Sequence, residues 1–565
     1  MKTKSNWKLG AAVGTALSLG SGAAVAGPHG FDLHNIFHGA SASMAGTSIA
    51  HVEDPVSAVF GNPATLTTYY GGTNFMFGAT FYMPRARMQH DGSAGYAVGE
   101  VTSLVKTSAA LSQSGGVRSY SFDAVSKADV YAVPTVAVTQ DLTGLGLPLV
   151  LGVGVSATSG IGVDYKHNSN TLGAAAELIN LGVNAGIGMS ITPNLDVGVS
   201  ATITYAMLEA GLTGSGGMTH DIGFRATMGG RMKVMPGMTV GAFVQTEQPH
   251  EYDNLHVTSM HGSDGLKSLE GPGSYMPTAV RNQTTGSVCR QDVRVEMPWN
   301  AGIGFAFDGL MNGNLLVMGD FTHKAWDDAR FFNEFYDDQQ VYSLGLQLTQ
   351  GPFKWRLGYG YADDPLRDHV DAGVQIKTIG LVNTGGNTVT SPMYPLFMSY
   401  FQAMETPVIY KHRISAGLGI DGFLAPILTL DTHVAFQLEE DKCFGAGQTA
   451  ANGVTSPWAN SAALGTALSG TGVSYAGCGT TDHTKATVSS FHLGGALTWT
   501  FDTQSLRFRY QSEDPKYNKL EFIRRVRSAE SRADQIWVQR EIDSSLGSVK
   551  SGLGARELEH LLSYI

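Results

Sequence analysis

The chain has 565 residues, of which 15% are charged, and a formal net charge of -11. A net negative charge of this size argues against a polybasic surface that binds nucleic acid, so no nucleic-acid partner is expected. Three cysteines in so long a chain also argue against a disulfide scaffold; Cys443 and Cys478 fall in one predicted loop and either pair or stay free.

The first 26 residues have the three parts of a secretory signal peptide. Three lysines within residues 1–8 precede an apolar stretch over 9–25, which ends on the A-x-A cleavage site Ala24-Val25-Ala26. A single transmembrane anchor is the alternative, but the apolar stretch is shorter than the ~20 residues such a helix needs. We therefore predict export, with cleavage after Ala26.

Residues 27–72 form a segment unlike a strand or a Leu-rich amphipathic helix. Its central part, GASASMAGTSIAHVEDPVSAVFGNPATL, covers 39–66 and consists mostly of small residues. Small side chains let a backbone pack closely against another surface. Asn62-Pro63 predicts an extended or turn geometry before the next element.

Period-two alternation dominates residues 73–501 and predicts strands with two different faces. In 488–501, for example, Leu493 and Trp499 share one face, whereas His492 and Thr498 share the other. About fourteen such segments begin near residues 73, 130, 148, 177, 194, 220, 236, 294, 313, 339, 352, 409, 426 and 485. Two or three soluble β-domains would give the same alternation in any one strand.

The connections favour a transmembrane barrel over soluble β-domains. Short turns rich in Gly, Pro, Asn or Asp alternate with long loops at 89–128, 163–176, 208–219, 249–293, 326–338, 364–408 and 441–484. Outer-membrane barrels have short periplasmic turns, long extracellular loops and an even number of strands. We predict an all-β fold: a closed antiparallel barrel of about 14 strands, which spans the outer membrane of a Gram-negative cell several times and contacts its lipid. Residues 27–72 would form a plug in its lumen.

Residues 502–565 have a higher charge density than the rest of the chain and contain the run LEFIRRVRSAESRADQIWVQREIDSSL. The pattern predicts a helical or partly disordered extension. It would either meet a periplasmic partner or have no function of its own.

Several stretches resemble the FadL family of outer-membrane long-chain fatty acid transporters. The N-terminal stretch over 31–66 resembles that family's N-terminal hatch, with acidic residues at Glu53 and Asp54 and the triplet Asn62-Pro63-Ala64. VEMPWNAGIGFAFDGLMNGNLLVMGDFTHKAW, FKWRLGYGYADDPL and VIYKHRISAGLGI resemble its later strands. The loops at 249–293, 364–408 and 441–484 and the extension after Phe501 depart from the pattern.

The resemblance implies a monomeric fourteen-stranded barrel that takes up hydrophobic molecules by passive diffusion. An extracellular groove would capture the ligand, a lumen pocket would hold it, and a kink in the third strand would release it sideways as the hatch moves. Gly152, Gly154 and Gly160 are the places where that strand could bend. Long-chain fatty acids are the expected substrates, with aromatic hydrocarbons as the alternative within the family.

A fatty acid needs a cation for its carboxylate and an apolar lining for its tail. The alternation places Lys354, Arg356, Lys411 and Arg413 on the lumen face. Arg413 and Lys411 are the preferred pair, and the alternative for all four is pairing with lumen carboxylates such as Asp431, Asp320 or Glu439. The expected apolar lining includes Phe31 and Phe37 of the plug and Phe397 and Phe401 of a long apolar loop.

The sequence contains no G-x-S-x-G elbow and no H-E-x-x-H motif, so we expect neither an enzyme nor a metal or other cofactor. The competing function is a general porin or an adhesin-like barrel whose loops bind a surface partner. A plug and an apolar loop distinguish the transporter from these, because an open porin needs neither.

Overall fold

The computed structural model describes residues 32–91, 122–128, 130–145, 147–168, 171, 174–210, 218–258, 289–334, 336–366, 405–445 and 483–502, together with the short pairs 369–370, 381–382, 388–389 and 473–474. The predicted signal peptide, Phe31, Phe397, Phe401 and residues 503–565 lie outside these ranges. Cys443 is disulfide-bonded. Cys478 also lies outside the described residues, so its pairing with Cys443 stays a prediction.

Fourteen antiparallel strands close into one barrel. They are β1 Gly72–Asp91, β2 Tyr131–Asp141, β3 Leu149–Asp164, β4 Ala175–Thr192, β5 Leu195–Ala210, β6 Thr219–Met235, β7 Met238–Gln245, β8 Asn300–Leu310, β9 Leu315–Lys324, β10 Gln339–Gln350, β11 Phe353–Ala362, β12 His412–Asp421, β13 Leu428–Gly445 and β14 His483–Asp502. Each strand pairs with its neighbours in the chain, and β1 pairs with both β2 and β14. The predicted fold class and strand number are confirmed.

The two faces of the strands meet different surroundings, as the alternation predicted. In β11, Trp355 is 52% exposed and Leu357 58%, whereas Arg356 between them is 2% exposed. The outward apolar face is typical of a sheet in contact with lipid, and only a closed sheet satisfies all its backbone groups there. The fold is therefore that of a barrel spanning the outer membrane.

The connections alternate between short turns and long loops around the barrel. At one end, two-residue turns join β6 to β7 and β10 to β11, with Gly237 at φ +76° and Gly351 at φ +61°. Glycine suits these positions because other residues are strained at positive φ. At the other end, the connection from β7 to β8 contains a separate hairpin, Gln248–Thr258 paired with Cys289–Met297.

Residues 32–71, called here the N-terminal segment, lie against the inward faces of the barrel strands. The segment contains the helices α1 Gly39–Ala42 and α2 Pro55–Phe60 and the 3-10 helix Pro63–Tyr69, and most of its residues are buried. Asp54 caps α2 by accepting a hydrogen bond from Ser57 N. Close approach depends on wall glycines: a Cβ added at Gly358 would lie 2.3 Å from Ala45 N.

The third strand is irregular at the place where the resemblance implied a kink. A β-bulge at Thr158 lies between Ala157, paired with Leu181, and Ser159, paired with Asn180. The ladder between β3 and β2 extends from Asp141 only to the pair of Val136 with Val155. Beyond it β3 turns towards the N-terminal segment, where Leu33 N donates to Thr158 O at 2.9 Å.

No helix in the described part of the chain is long and apolar enough to span a membrane.

Candidate ligand path inside the barrel

A buried ion pair attaches the start of the N-terminal segment to β6. The Asp32 carboxylate accepts hydrogen bonds from both terminal nitrogens of Arg225, at 3.2–3.3 Å, and another from Asn300 of β8. Both charged side chains are 3% exposed. Burial raises the pKa of Asp32, but the positive charges of Arg225 and Lys324 outweigh this effect and hold the pKa below its ordinary value.

A second charged cluster contains two of the predicted site residues and one predicted plug residue. Lys354 Nζ lies 3.4 Å from Glu53 and 3.2 Å from Asp421. Arg356 pairs with Asp431 and lies 3.7 Å from Glu53. Burial raises the pKa of Glu53, yet Lys354 and the other cationic neighbours keep it well below the ordinary value. These two cations therefore hold the N-terminal segment through Glu53.

Arg413, the preferred carboxylate-binding residue, contacts the N-terminal segment through its backbone. Its Nη2 donates to Ile36 O at 2.8 Å and lies 3.4 Å from Ala42 O, and its Nη1 lies 3.3 Å from His492 Nδ1. Arg413 is fully buried, and its Nε has no hydrogen-bond partner. Among the described residues, no carboxylate lies within ion-pair distance of it.

Lys411 is only half-buried and stands apart from this contact. Its backbone oxygen accepts a hydrogen bond from Ala362 N at 2.9 Å. The ligand roles of Lys411, Arg413, Lys354 and Arg356 stay predictions.

Other plug residues predicted from the sequence make local and wall contacts. The Asn62 amide donates to Ile49 O at 2.8 Å and to Gly230 O at 3.1 Å, and its oxygen accepts from Ala64 N at 3.0 Å. Pro63 begins the 3-10 helix. This explains the Asn-Pro-Ala triplet as a cap that is also bonded to the wall.

An apolar cluster lies where β3 separates from β2. It contains Leu33, Ile36, Phe37, Tyr82, Tyr131, Val133 and Ile179, with Ala157 and Leu181 packed against it. The ring of Phe37 stacks on His492 at 5.1 Å and meets Tyr82 edge-on at 5.7 Å. The predicted apolar residue Phe37 is therefore part of this cluster.

The stretch over which β2 and β3 share no ladder hydrogen bonds is called here the window. Below it, Val136 pairs with Val155; above it, Lys127 N donates to Asp164 O at 2.8 Å. Tyr131 and Val133 of β2 border the window and belong to the apolar cluster. Apolar side chains therefore border the window.

The sequence did not predict a site role for Asp32, Asn300 or Lys324. Asp32 lies in the quoted N-terminal stretch, but nothing in its spacing indicates a partner 193 residues away. Asp320 was named as a partner for a basic side chain; instead it accepts hydrogen bonds from Ser48 N at 2.7 Å and Ile49 N at 3.1 Å. Within the described residues, no group of three or more His, Cys, Asp or Glu side chains could hold a metal ion.

Comparison with solved structures supports the fold. A Pseudomonas aeruginosa FadL homologue matches with a TM-score of 0.50 and 13% identity, over 84% of this chain and 100% of the other. The fold is that of a FadL homologue. This agrees with the resemblance found in the sequence.

Two further structures match with lower TM-scores. The Pseudomonas putida toluene transporter TodX has a TM-score of 0.49 and 15% identity, over 83% of this chain and 99% of its own. The Ralstonia pickettii toluene transporter TbuX has a TM-score of 0.47 and 14% identity over the same shares. No protein-family model matches the chain, and no curated protein matches it either.

Proposed function

We propose that this protein is a passive outer-membrane channel for hydrophobic small molecules, which leave the lumen sideways through the window between β2 and β3. The observation that carries the proposal is the early end of the β2–β3 ladder beside an apolar cluster. Each pair of neighbouring strands in the barrel is hydrogen-bonded over at least part of its length, and the N-terminal segment lies against the inward faces of the strands. A lateral route takes an apolar ligand directly into lipid and spares it the aqueous periplasm.

The substrate class depends on which lumen cations are available to an anion. Arg225, Lys354 and Arg356 are engaged with carboxylates of the protein, which reduces their attraction for a substrate carboxylate. Arg413 has only backbone carbonyl oxygens and a histidine nitrogen as partners among the described residues. We therefore keep Arg413 as the carboxylate-binding candidate for a long-chain fatty acid, and an aromatic hydrocarbon as the substrate that needs no cation.

Binding to the detergent-purified protein distinguishes these substrates. A long-chain fatty acid and toluene are titrated against the wild-type chain, Arg413→Ala and Lys411→Ala. Saturable fatty-acid binding that weakens in either variant supports a carboxylate site there. Saturable binding of toluene with no binding of the fatty acid supports the hydrocarbon alternative. Failure to bind either ligand contradicts the proposed transport and favours a loop-binding surface protein.

Deletion of Thr158 tests the lateral route. Thr158 is the extra residue of the bulge, so its deletion restores one-to-one pairing of β3 with β4 and keeps Ser156 and Ser159 on the inward face. We expect β3 to continue straight beside β2 and close the window. Uptake of labelled substrate by whole cells should then fall several-fold, while binding to the purified protein persists. Unchanged uptake by a correctly folded deletion variant would rule out this exit.

A general porin makes the opposite prediction for ion conductance. We expect the buried N-terminal segment to block the lumen, so the wild-type protein should give almost no steady current in a planar bilayer. Large steady channels would instead favour the porin alternative.

A further inference from the structure

A small cavity lies between the N-terminal segment and the wall, next to the window. It has a volume of about 30 Å³ and is lined by residues that include Leu33, His34, Phe60, Ala157, Arg225 and Gln248. A space of this size holds roughly one water-sized group. It is therefore large enough for a polar head group but not for a whole substrate molecule.

Two lining side chains have polar atoms without a partner. Gln248 is fully buried; its Nε2 donates to Thr204 Oγ1 at 2.7 Å, whereas its Oε1 has no hydrogen-bond partner. His34 Nε2 also has none. Exchanging the two amide atoms of Gln248 would only leave the amino group unpaired instead. Buried polar atoms of this kind are costly, so the site favours a ligand that satisfies them.

The unpaired atoms suit a neutral group that both donates and accepts. The Asp32 carboxylate lines the same cavity and pairs with Arg225, so a ligand carboxylate would meet a like charge beside the positive charges of Arg225 and Lys324. A carboxylate would also offer no proton to Gln248 Oε1. Burial, together with Lys324, lowers the pKa of His34 to about 3, so the imidazole is neutral at pH 7. A hydroxyl can donate to one of the two unpaired atoms and accept from the other.

The cavity is continuous with the apolar cluster. Leu33 and Ala157 line the cavity and also belong to or pack against that cluster at the window. A molecule with a hydroxyl in the cavity would therefore lay its hydrocarbon part along the cluster. We propose that the cavity is a subsite for the neutral hydroxyl of a hydrophobic alcohol or phenol. The proposal rests on the proposed transport of hydrophobic molecules and narrows its substrate class.

The test compares p-cresol with toluene, which differ by one hydroxyl, by calorimetric titration of the full purified chain. A purely apolar site prefers toluene, because burying an unpaired hydroxyl is unfavourable. With the subsite, p-cresol should bind about tenfold more tightly than toluene, as expected for one or two new hydrogen bonds. Gln248→Met and His34→Phe should each reduce this preference while leaving toluene binding unchanged. Toluene binding thus reports that each variant is folded.

Four results would overturn the subsite. Wild-type protein that binds toluene as tightly as p-cresol, or more tightly, contradicts it while leaving the proposed transport intact. A p-cresol preference that persists in both variants places the hydroxyl elsewhere. Tighter binding of p-methylbenzoate than of p-cresol would show that the site selects an anion. If neither toluene nor p-cresol binds, the subsite is refuted; the proposed transport fails with it only when a long-chain fatty acid does not bind either.

Discussion

The Asp32–Arg225 ion pair offers the sharpest test of how the N-terminal segment is held against the barrel wall. Asp32→Asn preserves the shape of the side chain but removes its charge, which leaves the buried Arg225 guanidinium without a carboxylate. Removing one partner of a buried ion pair costs about 3–5 kcal/mol, because the remaining charge stays desolvated. Release of the segment would let Arg225 regain hydration. The lost free energy therefore weakens docking of the segment and leaves closure of the barrel unaffected.

Hydrogen exchange measured by mass spectrometry reports how much free energy of docking is lost in Asp32→Asn. The backbone amides of the segment that donate to the wall include those of Leu33, Ala45, Ser48 and Ile49; Ser48 N, for example, lies 2.7 Å from Asp320. Because each 1.4 kcal/mol is a factor of ten, their exchange should accelerate by about two to three orders of magnitude in Asp32→Asn. Amides of the barrel strands should be unaffected.

The matched control is Asp421→Asn, the same change at a carboxylate whose side chain is 44% exposed. Its ion pair with Lys354 is worth less than about 1 kcal/mol because solvent screens it. The double variant Asp32→Leu with Arg225→Met removes both charges of this pair, but not that of Lys324, and should recover part of the protection. Wild-type exchange rates in Asp32→Asn would refute the assignment of the ion pair as an attachment point. An equal acceleration in Asp421→Asn would show that the effect is not specific to the buried pair.

Two further predictions concern the same docking. Burial lowers the pKa of His34 and His38 to about 3 and raises that of Asp54 to about 6. Docking favours neutral histidines, so their stabilising effect is present above the ordinary pKa of 6.5 and is lost as pH falls below it. Docking also favours protonated Asp54, and that stabilising effect is lost as pH rises through 6. Between pH 7 and pH 5 each histidine disfavours docking by about 2 kcal/mol and Asp54 favours it by about 1 kcal/mol, so acidification should loosen the segment. Hydrogen exchange that is no faster at pH 5, after correction for the intrinsic rates, would contradict this balance. Gly358→Ala would place a Cβ 2.3 Å from the backbone of the segment, whereas at Gly360 the nearest atom is 3.6 Å away. Only Gly358→Ala should therefore raise ion conductance in planar bilayers, and equal currents from the two variants would argue against close packing there.

The sequence alone determined the barrel, because each strand's alternation is a local consequence of having lipid on one side and the lumen on the other. Leu493 is 45% exposed and the neighbouring His492 is fully buried, as the period-two pattern predicted. The turns followed in the same way from the residues that tolerate their backbone angles. The lumen side of Arg356 and Arg413 was also correctly predicted, since the side a residue faces depends only on its parity within a strand.

Tertiary structure alone decided what those inward residues contact. Arg225 pairs with Asp32, which is 193 residues away in the sequence, and Arg413 donates to the backbone of Ile36, which is 377 residues away. Such pairings depend on barrel closure and on the path of the N-terminal segment along the inward faces of the strands, and no local pattern encodes either. The bulge at Thr158 is a similar case: glycines showed that β3 could bend, but the end of its pairing with β2 also required the contact with Leu33. Periodicity reports the environment on each side of a strand, whereas the window and the polar cavity arise from long-range contacts between distant parts of the chain.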